Sequence, residues 1–324
     1  MITSVLLFAV GLVLLIKGGD WFVDGATGIA KRFNLPDIVV GATVVSIGTT
    51  LPEVMVSTTG ALAGSGAMAY GNAIGSIICN TALIAAISIT CNPGPVNVKS
   101  MKTPVIFFFA SAALYCLASY ILGEFPRWMG FVMLSIFVVY TVLTVRNGMK
   151  NPDASEEEEE EEQKERKLWQ ELVLLGVGAA VIAVGADLLV DHGQIIAIEL
   201  GVPETVVALL FVALGTSLPE LVTTITSLKK GRASLGVGNV IGANVFNLVL
   251  VSGVAVSLAP FAVPCENFLL DTGLNMSLVF EIPVMLGVMC LMTIPALLTK
   301  KLGRWQGVLL LCIYAAFCVC QFVL

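Results

Sequence analysis

Two glutamates close the same six-residue block at two places in the chain. Gly48–Glu53 reads Gly-Thr-Thr-Leu-Pro-Glu, and Gly215–Glu220 reads Gly-Thr-Ser-Leu-Pro-Glu. Each block lies inside a long apolar run, where a carboxylate is expensive unless it has work to do. Pro52 has no N–H, so a helix through it leaves the carbonyl of Gly48 without a donor, and Pro219 does the same to Gly215. The helix is therefore expected to break or kink, freeing carbonyls around Ser46–Thr49 and Ala213–Thr216 beside each carboxylate. A second pair of segments adds polar neighbours. Asn72, Ser76 and Asn80 recur at helical spacing and share one face, and Asn239, Ala243 and Asn247 occupy the matching face of the other copy. Carbonyls, hydroxyls and two carboxylates form an all-oxygen set. Hard cations bind to such a set, whereas transition metals favour His or Cys.

Electrostatics then limits what this set can do. A lone buried glutamate would be neutralised by protonation. Two facing carboxylates need a cation or a proton between them, because unpaired charge in a low-dielectric interior costs several kcal/mol. An empty site carrying two negative charges crosses the membrane barrier poorly, while one filled by a divalent cation can cross. Obligatory exchange follows from that asymmetry.

The positions of these blocks imply a repeat. Residues 18–80 align with 185–247 at a constant offset of 167, without a gap, and 22 of the 63 pairs are identical. The chain is 57% hydrophobic and 12% charged, with a mean hydropathy of +0.95, which excludes a soluble domain. Apolar stretches long enough to cross a bilayer fall at about 3–28, 37–62, 68–90, 103–122, 127–146, 169–197, 203–228, 234–258, 276–298 and 304–324. Of the 17 Lys and Arg residues, 15 fall in alternate loops on one side, which puts those loops in the cytoplasm and both termini outside. Five spans per copy is an odd number, so the second copy enters the membrane upside down. The expected architecture is an all-α integral membrane protein of ten transmembrane helices in two inverted-topology five-helix repeats. The first covers 1–146 and the second 168–324. The linker 147–167 carries seven consecutive glutamates, Glu156–Glu162, and reads as a solvated cytoplasmic tether. The acidic balance gives no indication of a nucleic-acid partner.

Other polar residues in the spans read as structural. Asp20 and Asp24, with Asp187 and Asp191 at the same offset, look like helix-end anchors, and Lys17 is placed to pair with Asp20. Glu281 has no acidic counterpart in the first copy. The eight cysteines show no metal-site spacing and read as packing residues.

At these residues the sequence resembles the cation/calcium antiporter superfamily, in particular its prokaryotic sodium/calcium exchanger branch. The resemblance covers both halves and rests on the doubled set Gly48–Glu53 with Gly71–Asn80 and Gly215–Glu220 with Gly238–Asn247. It implies that Glu53 and Glu220 bind calcium and sodium in turn, with the carbonyls of Thr49 and Thr216 on calcium. It implies that the carbonyls of Ser46 and Ala213 hold sodium, that Thr50 and Ser217 supply hydroxyl ligands, and that Ser76, Asn80 and Asn247 complete the site. The first and sixth spans slide in relatives to alternate access.

Three departures from the family pattern sharpen the expectation. Asn247 stands where some relatives carry Asp, which leans toward potassium independence. Ala243 replaces a frequent hydroxyl that helps hold an outer sodium. Gly75 and Gly242 stand where the proton/calcium branch places glutamate. The reading is a sodium/calcium antiporter of a prokaryotic inner (plasma) membrane, not an enzyme, with no cofactor and with Ca2+, Na+ and lipid as partners. A proton-coupled divalent exchanger is the runner-up and a cation channel comes third. The sequence leaves the oligomeric state open.

Overall fold

A computed structural model describes residues 2–150, 166–199, 215–264 and 275–323. Its helices are α1 (Ile2–Arg32), α2 (Asp37–Thr49), α3 (Leu51–Leu62), α4 (Gly66–Cys91), α5 (Val98–Leu122) and α6 (Arg127–Lys150). They continue as α7 (Leu168–Glu199), α8 (Leu218–Lys229), α9 (Ala233–Leu258), α10 (Ser277–Thr299) and α11 (Arg304–Val323). Among the described residues eight of these are long and apolar enough to cross a bilayer, and α2 with α3, bent by 45°, makes a ninth. The protein is an all-α, multi-pass membrane protein. Helix α8 is the described part of the span expected over 203–228. The first part of that span, with Ala213, lies outside the described residues, as do the glutamate run Glu156–Glu162 and Cys265.

Burial sorts the helices into a centre and a periphery. The most apolar window of α9 is 83% buried and that of α4 is 72%, against 22% for α1 and for α7. A helix apolar all round and enclosed by protein belongs at a bundle's centre, so α4 and α9 are the axis. Helices α1 and α7 run antiparallel against each other at the edge. A Cβ on Gly11 would lie 2.9 Å from the Gly185 carbonyl oxygen, and one on Gly178 would lie 2.9 Å from that of Gly18. Small residues at such crossings let backbones meet, which is how helices gain contact where the hydrophobic effect gives none.

Two short antiparallel pairings tie the halves together. Strand β1 (Gly94–Pro95) pairs with β4 (Lys301–Leu302), and β2 (Glu124–Phe125) pairs with β3 (Phe261–Ala262). Among the described residues, five helices also contain a wide π turn, at Gly41–Val45, Asn80–Ala85, Leu117–Leu122, Asn247–Val251 and Ser277–Glu281. Two of these begin at Asn80 and Asn247, positions 167 apart. Such turns widen a helix locally and often occur at functional positions.

Candidate cation site

The proline argument is realised at the first block. Helix α2 ends at Thr49, Thr50 forms the corner, and α3 starts at Leu51 with Pro52 in its first turn. In the second block Ser217 is the corner and Pro219 opens α8. Glu53 and Glu220 thus fall in the first turn of a helix, where backbone N–H groups are in excess and a carboxylate is favoured. One expectation needs correction. The Ser46 carbonyl is not left free, because the Thr50 N–H donates to it at 3.0 Å. Deleting the Pro52 N–H takes the donor from Gly48, whereas Ser46 keeps its own donor four residues on, and the Thr49 hydroxyl also donates to the Ser46 carbonyl at 3.5 Å.

Glu53 and Glu220 are fully buried, and they are close enough to repel each other. The hydroxyls of Thr49 and Thr50 flank the Glu220 carboxylate, with that of Thr50 outside hydrogen-bond geometry. Among the described residues, neither carboxylate has a hydrogen-bond partner, and the same is true of the Thr50, Ser76 and Ser217 hydroxyls and both polar atoms of Asn80 and Asn247. These seven side chains are at most 2% exposed. Buried polar atoms are almost always hydrogen-bonded, and each exception calls for a reason. These seven were singled out from the sequence, although other buried polar groups, such as Tyr70, Ser111 and Tyr115, also lack a partner among the described residues.

The polar faces of α4 and α9 divide into two roles. Asn72 Nδ2 donates to Ser57 Oγ at 2.8 Å and to the Glu53 carbonyl at 3.3 Å, while its Oδ1 accepts from Thr216 Oγ1 at 3.4 Å. Asn239 Nδ2 donates to Thr223 Oγ1 at 3.0 Å, and its Oδ1 accepts from Thr49 Oγ1 at 3.2 Å. The Ser46 hydroxyl reaches the Asn239 carbonyl at 2.9 Å and that of Gly41 at 2.8 Å. Asn72 and Asn239 therefore hold the two helix breaks in place. Asn80 and Asn247, two turns further along, keep their amides free.

The sequence reading missed several residues of this region. Asn244 Nδ2 donates to Thr81 Oγ1 at 2.7 Å and approaches Met289 Sδ at 3.2 Å, tying α9, just before its wide turn, to the wide turn of α4 and to α10. Its repeat counterpart is Ile77, so a search for features shared by the copies passes over it. Tyr140 donates to the carbonyl of Ala42, in the wide turn of α2, at 2.7 Å. Nothing in the sequence pairs those two positions.

The donor set is two carboxylates with neutral oxygens. A set of that composition is of the kind that suits a hard cation. The model of the family described as sodium/calcium exchanger protein matches residues 3–146 and 171–323. The chain belongs to the sodium/calcium exchanger family. Family relatives include the sodium/calcium exchanger MaX1 of Methanosarcina acetivorans, 30% identical over 98% of both chains. The inner membrane protein YrbG of Escherichia coli is 31% identical over 80% of this chain and 81% of its own length. Among solved structures, the sodium-calcium exchanger NCX_Mj superposes with a TM-score of 0.77 at 32% identity, over 97% of each chain. Members of the family are transporters of Na+ and Ca2+, not enzymes.

Proposed function

We propose that this protein exchanges Na+ for Ca2+ by alternating access, with Glu53 and Glu220 as ligands shared by both ions. The observation that carries the reading is the pair of fully buried carboxylates without hydrogen-bond partners among the described residues. Leaving two such charges uncompensated costs several kcal/mol each, and a bound Ca2+ removes that cost at once. The Thr49 and Thr216 carbonyls would join the glutamates on calcium. The Ser46 and Ala213 carbonyls, the Thr50, Ser217 and Ser76 hydroxyls and the Asn80 and Asn247 amides would complete the sodium positions.

The proposed architecture is ten spans in two inverted repeats, 1–146 and 168–324, joined by the cytoplasmic linker 147–167. It is supported by contacts that exchange places under the 167-residue offset. Gly11 meets Gly185 while Gly178 meets Gly18, and Thr49 donates to Asn239 while Thr216 donates to Asn72. Reciprocal contacts of this kind are what a two-fold relation between copies produces. The charge distribution supports a plasma-membrane location with both termini outside.

Proton coupling is the competing reading for a carboxylate pair. A Cβ on Gly242 would lie 2.4 Å from Ser46 Oγ and 2.6 Å from Ala42 Cα, so that position has no space for a further acidic side chain. The deciding experiment is calcium uptake into sodium-loaded proteoliposomes, for wild type and Glu53→Gln. Uptake that requires internal sodium and is lost in the variant supports the exchanger. Uptake driven by a pH gradient alone assigns the site to protons.

A further inference from the structure

The turns that end α3 and α8 have the same backbone but different charge. In the first, Ala63 N–H bonds Thr59 O at 2.9 Å, Gly64 N–H bonds Ala61 O at 3.0 Å and Ser65 N–H bonds Gly60 O at 2.9 Å. In the second, Lys230, Gly231 and Arg232 make the corresponding bonds to Thr226, Leu228 and Ser227 at 3.0, 3.2 and 2.8 Å. Gly64 and Gly231 both have positive φ, +86° and +71°, as this type of helix ending requires. Ala63 and Lys230 are therefore equivalent positions.

The side chains at these equivalent positions act differently. Lys230 Nζ sits 2.6 Å from Asp24 Oδ1, 3.0 Å from the Asp20 carbonyl and 3.8 Å from Asp20 Oδ1. It therefore fastens α1 to the end of α8. The counterparts of Asp20 and Asp24 on α7 are Asp187 and Asp191, and the residue at the lysine position is Ala63. Among the described residues neither aspartate of α7 has an ion pair, and the undescribed segments 200–214 and 265–274 contain no Lys or Arg. Arg127, the one basic residue in the loops of that face, donates instead to the Leu258 carbonyl at 3.2 Å.

Helices α1 and α7 pack on each other through glycine along the bundle's edge, with Gly19 of α1 also against Val222 and Thr226 of α8, whereas α2, α4, α8 and α9 are laced around the site by side-chain hydrogen bonds. Any rearrangement that opens the site alternately to the two faces is therefore cheapest between the α1–α7 pair and the laced core. We propose that Lys230 is a one-sided clamp on that movement and sets the sidedness of exchange, making the two faces of a repeated structure unequal. The proposal rests on the alternating-access reading. A partly exposed ion pair supports a shift of about two- to fivefold in such an equilibrium.

The test compares apparent calcium affinity at the two faces, using everted and right-side-out vesicles. In Lys230→Met the ratio of the two affinities should change about two- to fivefold. The charge swap Asp24→Lys with Lys230→Asp should restore it, and Ala63→Lys, which offers Asp187 and Asp191 the missing partner, should move it the opposite way. An unchanged ratio in Lys230→Met overturns the proposal, as does a change of equal sign in Ala63→Lys. A second readout does not need transport. In a cysteine-free background, spin labels at Lys31→Cys and Lys229→Cys should report a new distance population when Lys230 becomes Met. If wild type showed no sodium-dependent uptake while the distances still responded, the exchanger reading would fail and the clamp would stand. Unresponsive distances together with normal exchange would remove the clamp alone.

Discussion

The Thr49 hydroxyl donates to Asn239 Oδ1 at 3.2 Å across 190 residues of sequence. Thr49 ends the helix just before the break, and Asn239 belongs to the buried face of the other copy. The mirror contact, Thr216 to Asn72, is 3.4 Å. Each copy thus fixes the break of the other, and a candidate ligand carbonyl is oriented by a residue outside the proposed ligand set. Preorganisation of this kind is needed where ligands must discriminate ions by fractions of an ångström.

Replacing Asn239 with Ala removes the acceptor of Thr49 and the donor to Thr223 together. The hydroxyls left behind are buried, and an unsatisfied buried polar group costs about 1–3 kcal/mol. Asn239→Ala should lower the melting midpoint of the purified protein and weaken calcium uptake. Asn72→Ala should behave similarly but more mildly, since its bond to Thr216 is longer and only part-buried. Thermal unfolding in detergent, with uptake measured in parallel, checks both.

Glu53→Gln and Glu220→Gln should separate binding from folding. Each removes one of two mutually repelling buried charges, so the cation-free protein should melt no lower than wild type. Calcium should then fail to stabilise the variants. For wild type, ligand at a hundredfold its dissociation constant adds about 2.7 kcal/mol. Melting curves with and without Ca2+ decide the matter: a variant stabilised by calcium as fully as wild type would show that its glutamate is not a ligand.

Much of the architecture could be read from the sequence because membrane segments state their constraints locally. The span over 233–258 follows from its hydropathy, and the α2–α3 bend follows from Pro52. The buried, unpartnered state of Glu53 and Glu220 follows from carboxylates set in apolar runs. What escaped depends on tertiary contact. The Asn244 amide finds Thr81, and Asp20 goes to Lys230 at 3.8 Å instead of pairing with Lys17. In each case the local sequence offers a partner or a vacancy, and packing with another helix overrides it. The polar face of α4 was visible as a periodicity, but its division into bridging Asn72 and free Asn80 required the opposing copy.

Asn244 should tolerate substitution poorly despite lying outside the proposed ligand set. Its Nδ2 bond to Thr81 ties α9, one turn before Asn247, to the wide turn that begins at Asn80. Asn244→Leu leaves the Thr81 hydroxyl without that donor and should raise the half-saturating calcium concentration about fivefold or more, as expected for about 1 kcal/mol of lost positioning. Thr81→Ser, which keeps the hydroxyl, should be near wild type, whereas Thr81→Val should resemble Asn244→Leu. Calcium-dependence curves for the three variants test the bridge.

Gly242 and Gly75 are sequence equivalents with unequal surroundings. A Cβ on Gly242 meets Ser46 Oγ at 2.4 Å and the Ala42 carbonyl oxygen at 2.6 Å, while one on Gly75 meets nothing within 4 Å among the described residues. Overpacking of a tight helix crossing costs about 1–3 kcal/mol. Gly242→Ala should therefore displace Ser46 and depress both stability and sodium affinity, with Gly75→Ala close to neutral. Equal losses in the two variants would place the crossing elsewhere.

Ala243 is fully buried beside the free amide of Asn247 and offers no oxygen. Its counterpart Ser76 carries a hydroxyl without a hydrogen-bond partner among the described residues, so the two copies present unequal ligand sets. Ala243→Ser should restore the missing oxygen at the cost of one added atom. If that hydroxyl reaches a sodium position, the half-saturating sodium concentration should fall about two- to fivefold, the effect of one hydrogen-bond-sized interaction, and the sodium dependence should steepen. Calcium affinity should change little, since calcium is assigned to Glu53, Glu220 and the threonine carbonyls. Sodium-dependence curves at fixed calcium separate these outcomes. A change confined to calcium would move the Ala243 position from the sodium sites to the calcium site.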